Sequence, residues 1–426
     1  MKTVHNYQDV VSASATRPID ELANSPFYSV TGEAPHYWRL VNLGQVLREV
    51  DSRAGTNGIV ENDDVVVLSL TKNQGLIPQS ERFEKRIATS DISNYKVLRR
   101  DQIVYNPFVL WEGAVHILRN RDCGLVSPVY LTWEVKSADP QYIDYLLRSK
   151  SLIDTYQRLA SGVVQRRRAV RKDIFTSIII ALPPLLEQQA IARALQTVQQ
   201  AKEAHQRELN LERERKAALM EQLFTHGTRG ESTKQTEIGE IPESWQVVPL
   251  EEIVTLQRGR DLPVQDRRNG AVPVIGSNGV VGLHDVPAEN IPVPGIATGR
   301  SGSIGLLTYM SQPYWPLNTV LYGSDFHGNN PLFVFYWLHL FDFKKYSQGV
   351  SVPTLNRNLV HPIPFPLPML DEQLEIAEVL RNCDEKIAAF QREIELTEEL
   401  FSAMLEELMT GRLSVAPLIE GRLIHE

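Results

Sequence analysis

The sequence predicts an α+β chain built twice over: two mixed α/β globular regions separated by two long antiparallel coiled-coil helices, with pseudo-two-fold symmetry. Three observations carry this expectation. Leu182 begins the run LPPLLEQQAIARAL and Leu367 begins LPMLDEQLEIAEVL, and an offset of 185 residues aligns the two without a gap through more than forty positions. A repeat at that range means two copies of one structural unit. Apolar residues recur in the second copy at alternating spacings of four and three, the heptad seam of a helix that packs along its length against another. The region ahead of each helix also starts alike, with Trp38 five residues before Leu43 and Trp245 five before Leu250.

The helices are the clearest elements. Leu186 to Phe224 and Asp371 to Met409 contain no proline or glycine and are rich in Ala, Leu, Gln, Glu and Arg. Proline precedes each run (Pro183, Pro184 and Pro368) and glycine closes each (Gly227 and Gly411), as expected for helix start and stop. Asp371 is the expected N-cap of the second. Its seam runs Ile376, Leu380, Cys383, Ile387, Phe390, Ile394, Thr397, Phe401, Met404, Leu408. The seam of the first has Ile191, Leu195 and Val198 at one end, Leu219 and Leu223 at the other, and Lys202, His205, Leu209, Glu212 and Lys216 between. It is therefore apolar at both ends and polar in the middle. A helix of about 38 residues rises roughly 57 Å, so an antiparallel pair acts as a spacer. A homodimerising coiled coil and a larger all-α fold are the competing readings, and neither explains why the repeat extends beyond the helices.

The globular regions read as short β-type runs with glycine-rich turns. The first has Asp64–Leu70, Ile103–Tyr105 and Ile174–Ala181, with a helical patch at Pro140–Leu159; the second has Val272–Ile275, Ile304–Leu307 and Asn318–Leu321, with a helical patch at Pro331–Phe343. Ser232 to Ser244 is polar and reads as a linker. The expected division is 1–181, first globular region; 182–228, first spacer helix; 229–366, linker and second region; 367–413, second spacer helix; 414–426, a tail that either is flexible or packs near the N-terminus.

Composition excludes several classes. The 426 residues, 42% hydrophobic and 23% charged, suffice for two or three domains with real cores. Two cysteines, Cys123 and Cys383, make no disulfide framework and no metal cluster, which fits a reducing cytoplasm. The first twenty residues lack the pattern of a signal peptide, and no run is long and apolar enough for a membrane span. The net charge of −8 argues mildly against a nucleic-acid binder, but acidic helices and basic surfaces can share a chain.

Catalytic constellations are missing. Gly299-Arg-Ser-Gly-Ser-Ile-Gly305 has the glycines of a P-loop without the following Lys-Ser/Thr. There is no GxSxG elbow, no HExxH and no zinc spacing. Asn106-Pro107-Phe108 resembles the Asn-Pro-Pro-aromatic loop of amino-methyltransferases but lacks the second proline, and no glycine motif for a methyl donor accompanies it. The sequence thus reads as a binder, with no catalytic residue and no cofactor or metal of its own. Basic side chains cluster instead: Arg166, Arg167 and Arg168 with Arg171 and Lys172 ahead of the first helix; Arg258, Arg260, Arg267, Arg268, Arg300, Lys344, Lys345 and Arg357 in the second region. Such clusters neutralise phosphates, and arginine reads base edges bidentately. The backbone N–H groups of the turn holding Arg300, Ser301 and Ser303 are suited to gripping phosphate.

Taken with the two Leu-Pro-x-Leu-x-Glu-Gln-x-x-Ile-Ala repeats, the run Ile238-Gly-Glu-Ile-Pro-Glu-Ser-Trp245 resembles the approach to the second recognition domain in specificity subunits of type I restriction–modification systems. Gly299–Gly305 followed by Trp315-Pro-Leu-Asn-Thr-Val320 resembles a motif of many such domains; Tyr105-Asn-Pro107, Leu110-Trp-Glu-Gly113 and Gly124–Tyr130 resemble another version. The resemblance runs from about residue 30 to 412. It implies two target-recognition domains, each reading one half of an asymmetric bipartite site in double-stranded DNA. It also implies docking of two adenine-methyltransferase (modification) subunits on the helices, and restriction or motor subunits that join through the complex. S-adenosylmethionine, ATP and Mg would bind those partners. The competing classes are an enzyme fused into this chain and a coiled-coil scaffold without DNA readout. Replacing Arg166, Arg167 and Arg168 by alanine is expected to weaken DNA binding and flatten its salt dependence; an unchanged affinity and slope in a salt titration would remove this run from the site.

Overall fold

A strand pair closes each half of the molecule in the same register. Arg39–Asn42 runs antiparallel to Ile179–Leu182, with Arg39 opposite Leu182. Gln246–Pro249 runs antiparallel to Pro364–Leu367, with Gln246 opposite Leu367. The next backbone bond is repeated too: Leu43 N–H to Ile178 O at 2.9 Å and Leu250 N–H to Ile363 O at 2.8 Å. The structure is a computed structural model; it describes residues 25–29, 34–59, 61, 65–72, 74–82, 91–161, 168–349 and 353–423.

Between its opening and closing strands each half builds a four-stranded antiparallel sheet. The first half uses Leu47–Glu49, Ile103–Tyr105, Val115–Ile117 and Leu131–Val135; the second uses Thr255–Arg258, Gly295–Gly299, Leu307–Met310 and Val320–Asp325. In both, numbered along the chain, the strands lie in the order first, fourth, second, third. The two regions therefore share one topology. They differ in what is inserted between the first and second sheet strands. In the first region that insert holds the pair Leu68–Leu70 with Leu76–Pro78 and the strand Lys96–Arg99, paired with Cys123–Val126; in the second it holds the hairpin Val272–Gly276 with Gly279–His284, extended by Trp315–Pro316.

The chain divides into two compact units, 1–204 with 394–426 and 205–393, and each takes part of both long helices. The first long helix is Leu185–His226 and the second Leu370–Met409. The seam positions of both are the ones withdrawn from solvent, at spacings of four and three. In the first unit Ile191, Leu195 and Leu408 lie in one core with Trp38, Tyr142 and Phe175, and Met404 packs against it. In the second unit Leu223, Ile376 and Leu380 lie in one core with Trp245, Phe333 and Phe365, and Leu219 packs against it. Leu209 is buried, while Ile387, Phe390 and Ile394 are half-buried. Full burial of one such aliphatic side chain stabilises by about 1.5–3 kcal/mol.

The polar middle of the first seam is paired rather than loose. Lys202 meets Glu398 at 3.2 Å in the first unit; His205 meets Glu393 at 3.0 Å and Lys216 meets Asp384 in the second. Lys216 also lies 4.9 Å from the Tyr336 ring centroid, and Tyr336 donates its hydroxyl to Asp384 at 2.7 Å. Lys202 and Glu398 are exposed enough that their pair contributes about 0–1 kcal/mol; the Lys216 cluster is more enclosed. Partner numbers fall as the first helix's numbers rise: Ile191 shares a core with Leu408 and Lys202 meets Glu398 in the first unit, while His205 meets Glu393 and Lys216 meets Asp384 in the second. The helices therefore run antiparallel within each unit.

The repeated Glu-Gln has a structural purpose. Gln188 accepts the Asp139 backbone N–H at 2.8 Å and donates to Pro183 O at 2.8 Å. Gln373 accepts the Asn330 N–H at 2.9 Å and donates to Pro368 O at 3.0 Å. Asp139 and Asn330 are the N-caps of the helices Pro140–Leu147 and Pro331–His339, each with proline in its first turn. Glu372 accepts Trp245 Nε1–H at 2.9 Å and Thr228 N–H at 2.9 Å; Glu187 accepts the Tyr37 hydroxyl at 3.3 Å. Gly227 and Gly411 follow the two helices at φ +64° and +73°, the left-handed turn that glycine takes at no cost.

Several local expectations change. Ile174–Ala181 is not one strand: Lys172–Ser177 is helical and the strand begins at Ile179, because Phe175 turns into the core under Tyr105 and Trp133. Ile304 lies in a turn ahead of the strand Leu307–Met310. Pro140–Leu159 is two helices, Pro140–Leu147 and Lys150–Leu159, and Pro331–Phe343 is the helix Pro331–His339 with a separate 3-10 turn, Phe343–Tyr346. The linker contains an ordered hairpin, Thr233–Thr236 with Gly239–Pro242, anchored by buried Ile241. Asp371 falls one residue inside the second helix rather than capping it. The tail forms the helix Ala416–Leu423, and Val415 and Ile419 join the first unit's core. Of the run Asp64–Leu70, Asp64 lies outside the described residues and Leu68–Leu70 is the strand.

Replacing Gln188 or Gln373 by alanine strands a buried backbone N–H and a carbonyl, and each orphaned group costs about 1–3 kcal/mol. Gln373 also donates to Asn329 Oδ1 at 2.9 Å, so Gln373→Ala should destabilise more than Gln188→Ala in urea unfolding. Equal midpoints with wild type would show that the clamp is dispensable.

Candidate nucleic-acid interface

Three of the sequence-predicted arginines converge in the second unit. Arg258 ends the first sheet strand, Arg300 follows the second, and Arg357 begins the short helix Arg357–Val360. They line one concavity of about 290 Å³ together with Leu321, Gln348, Thr354 and Asn356. The backbone holds them in place from both sides. Arg300 donates its N–H to Thr319 O at 2.8 Å, and its carbonyl accepts Leu355 N–H at 2.7 Å. His361 Nε2 accepts the Leu256 N–H at 3.0 Å, joining the strand of Arg258 to the helix of Arg357. Burial lowers the His361 pKa, which keeps that acceptor free of a proton.

The turn carrying Arg300 depends on glycine. A Cβ at Gly299 would collide with the Ser303 carbonyl. Ser301 bridges Thr354, and the Ser303 hydroxyl donates to Asn278 Oδ1. The hairpin tip at Ser277 and Asn278 therefore packs against the arginine turn. Among the described residues, Arg258, Arg300 and Arg357 make no ion pair, and neither do Lys344 and Lys345, which stand exposed on Phe343–Tyr346 outside the concavity. Three uncompensated guanidinium groups on one rigid concave surface suit an anionic ligand with regularly spaced charges.

The other predicted residues are placed differently. Arg260 donates to Glu289 O at 2.7 Å; Arg267 donates to Val281 O at 3.3 Å, and Arg268 pairs with Asp285 at 3.0 Å. In the first unit Arg168 donates to Gln157 O at 2.7 Å and lies 5.6 Å from the Trp111 ring centroid. Lys172 pairs with Glu49, whose carboxylate holds the ammonium above the usual lysine range. Arg166 and Arg167 lie outside the described residues. Sequence reasoning missed Gln348, Thr354 and Asn356, since polar residues next to a glycine turn give no signal until folding brings the turn beside Arg258. Among the described residues no group of three His, Cys, Asp or Glu could hold a metal ion.

The fold is a duplicated one, a single topology used twice with different inserts and an arginine-lined surface on the second copy. Residues 242–398 match the family described as the type I restriction modification DNA specificity domain. The sequence is 26% identical to the type I restriction enzyme MjaVIII specificity subunit of Methanocaldococcus jannaschii, across 90% of this chain and 95% of that protein. Among solved structures, the S subunit of a type I restriction–modification system from M. genitalium is similar with a TM-score of 0.60 at 15% identity, covering 89% of this chain and 97% of the other. A chain from a structure addressing complex assembly and conformational transition of the type I system gives 0.53 at 15% identity, covering 90% and 100%. Residues 242–398 thus match a type I DNA specificity domain, and the chain is similar over most of its length to specificity subunits of type I restriction–modification systems.

Replacing Arg258, Arg300 and Arg357 together by alanine is expected to reduce the slope of log affinity against log salt by about 1 for each arginine that meets a phosphate. Melting should change little, because none of the three has an ionic partner to lose. Anisotropy titrations of a DNA duplex at several salt concentrations measure this, and an unaltered slope would remove the concavity from the interface.

Proposed function

We propose that this chain is the DNA-recognition subunit of a type I restriction–modification complex. Each unit reads one half of an asymmetric bipartite site in double-stranded DNA. The long helices set the number of unread base pairs between the halves and dock two adenine-methyltransferase subunits, through which restriction or motor subunits join. Methyl transfer and ATP-driven cleavage, with S-adenosylmethionine, ATP and Mg, belong to those partners; this chain supplies address and assembly. The observation that carries the reading is one topology built twice, with the sheet order and closing register kept and the inserts changed. Different inserts on equal scaffolds are what two unlike half-sites require. The uncompensated arginines of the second unit supply the affinity for phosphate. No helix among the described residues is long and apolar enough to cross a membrane, and a cytoplasmic location fits a DNA ligand.

Adenine methylation mapped across a genome in cells carrying the complex reads both half-sites and the gap together. Inserting one heptad into each long helix, matched in position, adds about 10 Å of helix, close to three base pairs at roughly 3.4 Å each. The gap should lengthen by about that amount with both half-sites retained. Altered half-sites would overturn the assignment of the helices as spacer.

A further inference from the structure

The Asn106–Ala114 segment of the first unit occupies the place in its sheet that the Arg300 turn occupies in the second. Each joins the second and third sheet strands, Ile103–Tyr105 to Val115–Ile117 and Gly295–Gly299 to Leu307–Met310. Each is clamped by one equivalent backbone bond: Val170 N–H to Pro107 O at 3.0 Å, and Leu355 N–H to Arg300 O at 2.7 Å. Pro107 thus stands where Arg300 stands, and Phe108 stands where Ser301 does.

Phe108 is held unusually firmly for a surface aromatic residue. Its N–H donates to Asn106 Oδ1 at 3.1 Å and its carbonyl accepts Trp111 Nε1–H at 2.8 Å. The next N–H, of Val109, donates to Asn106 O at 3.1 Å. The Asn106 side chain is therefore engaged in shaping the turn, which removes the methyltransferase-like reading of Asn106-Pro107-Phe108. The backbone is fixed on both sides of Phe108, yet the residue is 44% exposed. The exposed part of that apolar ring contributes nothing to folding.

We propose that Phe108 is a base-reading side chain of the first unit, meeting the C5-methyl edge of a thymine in the major groove. The proposal rests on the recognition reading above and deepens it. Phenylalanine offers neither charge for a phosphate nor a hydrogen bond for a base edge. In the major groove thymine alone presents a methyl group, and apolar contact is how it is read. The same place in the second unit borders the arginine concavity, so both loops face one kind of ligand with different chemistry.

The test uses the chain assembled with its modification subunits and measures methylation of duplexes in which each thymine of the first unit's half-site is replaced in turn by deoxyuridine. For wild type, one replacement should slow methylation by about 4-fold, the worth of one buried methyl group. For Phe108→Ala that position should no longer distinguish thymine from uracil, while the second half-site keeps its full preference. Phe108→Leu should retain part of the discrimination, and thermal melting confirms that both variants are folded. Equal uracil sensitivity in wild type and Phe108→Ala at every position would overturn the role of Phe108 and leave the recognition reading standing. Wild-type methylation with no sequence preference at all would overturn both.

Discussion

Gln188 and Gln373 each tie together two stretches of chain that are distant in sequence: the start of a long helix, with the turn before it, and the cap of a domain helix. Everything else in each unit depends on that tie. It fixes the direction in which the long helix leaves the domain, and the neighbouring strand pair fixes its register. Once both are set, the apolar ends of the helical seam fall into the domain core beside Trp38 or Trp245. A buried amide that satisfies a donor and an acceptor at once rigidifies more than an apolar residue could, because any shift would orphan two backbone groups.

That rigidity lets the rest of the surface vary. The sheet and its closing strands are invariant between the two units, whereas the inserts after the first sheet strand and the loop between the second and third are not. The second unit places Arg258, Arg300 and Arg357 on the scaffold edge without ionic partners. The first places Pro107 and Phe108 where the second has Arg300 and Ser301, and Lys172, paired with Glu49, where the second has Arg357. One scaffold thus presents charge in one copy and an apolar group in the other. The polar centre of the helix seam follows a similar logic: Lys202, His205 and Lys216 face Glu398, Glu393 and Asp384. Opposite charges there favour the antiparallel register over slipped ones, since a shift parts each basic side chain from its carboxylate.

Legibility differed sharply between helices and loops. The long helices were readable almost to the residue, because proline and glycine bound each run and the second keeps a 3.5-residue, almost wholly apolar period over ten positions. Short strands were less so. Ile174–Ala181 reads as one β run, but Phe175 is drawn under Tyr105 and Trp133 and the segment breaks into helix and strand. Of the basic clusters, Arg258, Arg300 and Arg357 were legible as candidates, while nothing in their spacing showed that they share one concavity. Arg260, Arg168 and Lys172 looked equivalent to them until folding gave each a protein partner.

The sequence by itself determined the duplication and the helix pair, because periodicity and repetition are properties of the chain that folding cannot rearrange. Tertiary structure alone decided which cations stay free, and which loop of the first unit stands in for the arginine turn of the second. Those are matters of contact between segments as far apart as Glu49 and Lys172, 123 residues, and contact depends on how sheets close rather than on which residue follows which.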